Sequence, residues 1–132
     1  MILPAGMAEE LLAHSRAEVP NEACGLLAGD ASGIQQLYCI PNADASPVSY
    51  TIDPVGHFRA LQDAEQHGWE LLGTFHSHVH GPAYPSPRDV EGAAEPDWIW
   101  LVAGPMSGTA QIRAFRIRDG GVVEEELTIP AG

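Results

Sequence analysis

Four side chains in this 132-residue sequence stand at spacings that suit metal chemistry: His76, His78, Asp89 and, well upstream, Glu22. In a β-strand, residues two apart point to the same face, so His76 and His78 can aim imidazole nitrogens at one point while Ser77 points away. Two histidines on a strand face are often only satisfied polar residues, and a metal site needs a third donor. Asp89 can supply it. It lies beyond a loop rich in Gly and Pro that can turn the chain back toward the strand end. Ser86-Pro87-Arg88-Asp89 also reads as a capping box that opens a short helix, and the two readings are compatible, because such a cap would fix where Asp89 points. Two His and one Asp with an open fourth position is the ligand count of a catalytic zinc site, whereas a closed structural site takes four protein ligands. One zinc per chain is expected. A water in the open position would need a base, and Glu22, at the mouth of the apolar run Ala23-Cys24-Gly25-Leu26-Leu27, fits that role.

The elements that must position these groups follow from periodicity and punctuation. Met7, Leu11, Leu12 and Ser15 recur at helical spacing and Pro20 closes the segment, which predicts a helix over about 6–18. Residues 23–29 and 34–40 read as a hairpin around Asp30-Ala31-Ser32-Gly33. Asp53 caps a second helix over 54–67, with Pro54 in its first turn and Gly68 as its stop. Residues 69–79 form the strand that delivers the two histidines, and a short helix runs from Ser86 to about Ala94. Strands follow at 98–103, 110–117 and 122–129, the last two joined at Asp119-Gly120. Helices interspersed among hairpin-linked strands predict one α/β domain over 1–132, a sandwich on a mixed, largely antiparallel sheet flanked by helices.

Composition excludes several functions. Apolar residues make up 45% and charged residues 18% of the chain, which is globular composition. Eighteen acidic against six basic residues give a formal charge of −12, with no basic cluster to track a phosphate backbone or an anionic membrane. The N-terminal residues lack the basic flank and apolar core of a signal peptide, and no apolar run approaches the roughly 20 residues that span a bilayer. A cytoplasmic protein is expected. Cys24 and Cys39 read as buried small hydrophobes in a reducing compartment. His14, His57 and His67 fall on helices away from the motif as surface residues. His80 runs into a Gly-Pro loop as a substrate-side or solvated histidine. Trp98 and Trp100 share a strand face, as core or as an oligomer contact, which leaves a homodimer open.

Glu22, then His76-Ser77-His78, seven intervening residues, Ser86, two more and Asp89 resemble the full motif of the JAMM/MPN+ metallopeptidases. Pro-Asn-Glu-Ala-Cys-Gly-Leu-Leu at 20–27 and Tyr-Pro-Ser at 84–86 extend the likeness, which in detail is greatest to short bacterial members such as the CysO-cysteine peptidase of cysteine biosynthesis. The resemblance implies an MPN-like, cytidine-deaminase-like sandwich. It also implies zinc on His76, His78 and Asp89, Glu22 as general base and acid, and Ser86 as a hydrogen-bond donor to the oxyanion. The implied substrate is a ubiquitin-like sulfur carrier ending in Gly-Gly, cleaved to release cysteine or a conjugated amine. Two rival classes stand beside this reading. Two histidines and a carboxylate also form the facial triad of non-haem iron oxygenases, but there the carboxylate usually sits near the first histidine and the second lies far downstream. A non-catalytic binding module of the same fold would not need an intact set of ligands, base and donor.

Overall fold

The computed structural model describes residues 1–131. Its elements are α1 (Ala5–Glu18), β1 (Cys24–Asp30), β2 (Gly33–Ile40), α2 (Pro54–Gln66), β3 (Glu70–Ser77), α3 (Pro87–Gly92), β4 (Ile99–Gly104), β5 (Gln111–Arg118) and β6 (Gly121–Glu125). The six strands form one sheet in the order β2-β1-β3-β4-β5-β6. Only β3 and β4 run parallel, joined by a crossover that carries α3. The expected α/β sandwich with a mixed, largely antiparallel sheet is therefore the observed fold. No described helix is long and apolar enough to cross a membrane.

Alternation along the strands sends two different residue sets to the two sides of this sheet. Leu27, Phe75, Ile99, Leu101, Ala103 and Ala114 face α1 and pack with Leu3, Ala8 and Leu11. The other set carries Leu26, Thr74, His76, Trp100 and Val102. Register keeps His76 in the middle of that second side, opposite Cys24 on β1 and Val102 on β4. The α2 helix covers part of it. Asp53 Oδ2 accepts from the Gly56 amide at 3.0 Å and starts the helix as expected. Gly56, Ala60 and Ala64, four residues apart, then turn small side chains inward; Gly56 lies directly against Ile40.

Two glycines have steric reasons. A β-carbon on Gly25 would strike the Phe75 ring and the Tyr38 carbonyl, so β1 can lie this close to β3 only with glycine there. A β-carbon on Gly104 would come within 2.8 Å of the Gly81 carbonyl and 3.1 Å of the His78 carbonyl. Gly104 therefore lets the loop after β3 fold tightly over the end of β4.

Some expectations need correction. β3 ends at Ser77 rather than 79, so His78 lies one residue past the strand. Its amide still donates to the Ala103 carbonyl at 2.8 Å, which preserves the extended direction that the His-x-His argument requires. β6 stops at Glu125 rather than 129, because the chain leaves β5 and makes a parallel bridge between Thr128 and Ile2. His14 is not a surface residue: its ring packs edge-on against Phe75 and its Nε2 is buried. Cys24 is buried, but Cys39 is only half-buried. Trp100 belongs to an apolar cluster with Val102, Phe115 and Ile117, the core reading of that face.

Candidate functional site

His76, His78 and Asp89 converge. His76 Nε2 lies 3.2 Å from His78 Nε2, and Asp89 Oδ2 lies 3.0 Å from the first and 3.1 Å from the second. Tetrahedral ligands bound at about 2.0–2.1 Å stand roughly 3.3 Å apart, so the three donors already have the spacing of three corners of such a site. A divalent cation fits this donor set.

Each donor is held from behind. His76 is carried by the middle of the sheet and completely buried. Tyr50 stacks on its ring, with centroids 4.5 Å apart and planes 20° from parallel. His78 donates from Nδ1 to the Pro82 carbonyl at 2.8 Å, which directs Nε2 toward Asp89 and sets the ring's orientation. Asp89 is locked by the capping box: Ser86 N donates to Asp89 Oδ2 at 2.8 Å, and Asp89 N donates to Ser86 Oγ at 3.2 Å. The cap and the converging carboxylate are thus one structure, as the sequence suggested.

The electrostatics of the cluster follow from burial and from these hydrogen bonds. Burial alone would raise the Asp89 carboxyl, but hydrogen bonds from His76 and His78 hold it well below the usual carboxylate range. Burial pushes His76 down, against the pull of Asp89. Burial also acts to lower His78, yet its hydrogen bonds to Asp89 and the Pro82 carbonyl leave it raised. A protonated His78 would donate from both nitrogens, so the proton on Nε2 occupies the place a metal would take.

Glu22 stands slightly apart. One of its oxygens lies within 4.8 Å of the donor nitrogens of His76 and His78. It is 5% exposed, and its Oε1 has no hydrogen-bond partner. Burial pushes its carboxyl up to about 7, opposed by His78 and Arg88 and reinforced by the negative charge of Asp89. Glu22 makes no direct hydrogen bond to the two histidines, unlike Asp89, and this suits a group that would hydrogen-bond a fourth, non-protein ligand. Ser86 Oγ only accepts within the cap, so its own hydrogen stays free to donate.

All five sequence-predicted residues therefore meet at one place. His80 is exposed and lines the cavity beside Glu22 without joining the donor triangle. Sequence reasoning missed Tyr50. It sits in a Pro- and Ser-rich loop with no periodic signal, and only the fold brings that loop across His76.

Comparison with known proteins identifies the family. Residues 4–118 match the family model for prokaryotic homologs of the JAB domain. The chain is 38% identical over 121 residues to a probable TtuB-protein conjugate cleaving protease of Thermus thermophilus, covering 91% of this chain and 78% of that protein. It is 35% identical over 135 aligned positions to the CysO-cysteine peptidase of Mycobacterium tuberculosis, covering 98% and 90%. A solution structure of a protein from Desulfitobacterium hafniense superposes with a TM-score of 0.88 at 36% identity, over 100% of this chain and 94% of that one. The crystal structure of a JAB1/MPN domain protein from Archaeoglobus fulgidus shares the fold alone, with a TM-score of 0.60 at 19% identity over 96% and 98%. By its motif, its sheet and the family model that spans most of its length, the chain belongs to the prokaryotic JAB-domain branch of the JAMM/MPN family.

Proposed function

We propose that this protein is a zinc peptidase that hydrolyses the bond after the C-terminal Gly-Gly of a ubiquitin-like sulfur-carrier protein, releasing cysteine or a conjugated amine. The observation that carries the reading is the triangle of His76, His78 and Asp89 donors, 3.0–3.2 Å on a side, with a buried, unpartnered carboxylate beside it. The named activities of the similar proteins, conjugate cleavage and CysO-cysteine hydrolysis, support the substrate class.

In this reading His76, His78 and Asp89 hold the metal. Zinc bound there supplies Lewis acidity, bringing the pKa of a water toward neutrality and polarising the scissile carbonyl. Glu22 Oε1 takes a proton from the attacking water and later hands it to the leaving nitrogen. A carboxyl poised near neutrality can do both. Ser86 Oγ–H donates to the carbonyl oxygen as negative charge grows there, a contact that strengthens toward the transition state. The carrier tail would run through a cavity of about 360 Å³ that joins Glu22, His78 and Ser86 to Val48, Gly81 and Tyr84. Residues without a β-carbon allow the closest approach of backbone to such a centre.

The test is to incubate zinc-loaded protein with a carrier–cysteine adduct and with carrier joined to a lysine side chain, and to measure product masses. Release of carrier ending in Gly-Gly is expected. Iron as the tightly bound native metal, or full activity after thorough chelation, would overturn the zinc peptidase. Cleavage only of unrelated peptides would overturn the carrier and leave the peptidase.

A further inference from the structure

A second cavity, of about 330 Å³, also reaches the donor triangle. It borders the site through Asp89 and shares no lining residue with the cavity beside Glu22. Tyr50, Thr51, Trp98 and Trp100 line it, and Arg88 precedes Asp89 in the same lining. A substrate cut at the metal has two arms, and the site has two cavities to receive them. The tail is assigned above to the cavity beside Glu22, which leaves this one for the leaving group.

Arg88 gives that cavity its chemistry. All six basic residues of this strongly acidic chain are arginines. Arg113, Arg116 and Arg118 are committed to ion pairs with Glu124, Glu125 and Asp97, whereas Arg88 forms no ion pair among the described residues. Arg88 is an exposed residue on the lining of this cavity, and its unpaired guanidinium is a fork for a planar anion, above all a carboxylate. Geometry says which one. When the leaving group is a single amino acid, its α-carboxyl carbon is only about 2.5 Å from the scissile nitrogen, by ordinary backbone bond lengths. That carboxylate therefore enters the cavity immediately beside the metal centre. A lysine acylated on its side chain within a protein brings no carboxylate there.

We infer that the cavity of Arg88, Trp98 and Trp100 receives the leaving group, and that Arg88 selects a free amino acid by its α-carboxylate over an amine embedded in a protein. This rests on the peptidase reading above and narrows its substrate class.

The experiment compares two carrier substrates extended after Gly-Gly by one alanine, one with a free carboxylate and one as the carboxamide. Alanine avoids a thiol that would bind the metal. Wild-type protein should favour the acid by roughly tenfold or more in kcat/KM, chiefly through KM. Arg88→Gln should bring the acid-to-amide ratio close to one, with metal content per chain unchanged. Arg16→Gln on α1, outside both cavities, should keep the ratio and so exclude a general effect of lost positive charge. Equal cleavage of acid and amide by wild type, or a preference that survives Arg88→Gln, overturns the carboxylate pocket alone. Cleavage of neither substrate overturns the peptidase reading and this inference with it.

Discussion

Phe75 and His76 are neighbours on β3, both completely buried, and they face opposite sides of the sheet. On the α1 side, Phe75 packs among Leu11, Leu27, Ile99 and Leu101, and the polar Ser77 is satisfied by accepting the Ala23 amide at 2.8 Å. On the other side, His76 Nδ1, Glu22 Oε1 and Trp100 Nε1 are buried without partners. Buried polar groups normally find a partner, because an orphan forfeits the hydrogen bond it had in water. The α1 side holds one such atom, His14 Nε2 beside Phe75, against three on this face, so unsatisfied polar groups concentrate around the candidate site, where stability is commonly given up for function. The α1 side is the foundation that makes this tolerable.

The comparison breaks most visibly in turnover. Glu22→Gln should retain metal and lose roughly 10²–10⁴ in kcat, because it removes a proton carrier but no ligand. Steady-state kinetics beside metal analysis checks this, and near wild-type turnover would remove Glu22 from the mechanism. Metal occupancy should come next in size. Protons and metal compete for Nε2 of His78, whose affinity for a proton is raised, so occupancy should fall as pH drops through the histidine range. Equilibrium dialysis against buffered zinc between pH 5 and 8 measures it, and a flat profile would contradict the proposed ligand set.

On the foundation side, Phe75→Ala should cost about 3–5 kcal/mol in denaturant unfolding, the usual result of emptying a large buried side chain. The site face should respond in the opposite sense. The folded-state pKa of Glu22 is raised from 4.5 to about 7, so this carboxyl adds nothing unfavourable below about pH 4.5 and its full cost above about pH 7. Glu22→Gln should then stabilise chelated, metal-free protein at pH 8 by up to about 3 kcal/mol, a gain that vanishes near pH 4. Destabilisation at pH 8 would show that the carboxylate has a partner. The smallest effect belongs to a satisfied polar contact: Tyr38 donates to Asp63 Oδ2 at 2.6 Å, half-buried under α2. Tyr38→Phe should cost about 1 kcal/mol in the same assay, with turnover and metal content unaffected.

Local rules made much of the molecule readable in advance. Period-two alternation put His76 and His78 on one side, the Ser86-x-x-Asp89 spacing specified a cap, and Asp53-Pro54 and Asp119-Gly120 marked a helix start and a turn. Each depends on residues within a few positions of one another, where backbone geometry leaves few choices. The five candidate site residues could therefore be named from local spacing together with the motif resemblance, and the fold class from the pattern of elements. Distance along the chain decided the rest. Glu22 is 54 residues from His76, and only the pairing of β1 with β3 brings its carboxyl within 4.8 Å. The order β2-β1-β3-β4-β5-β6, the single parallel pair, the stacking of Tyr50 on His76 and the cavity beside Arg88 all depend on contacts between distant segments. Composition and period carry no record of such contacts. They exist because one face of the sheet must be covered by something, and which loop covers it is settled by how the whole chain packs.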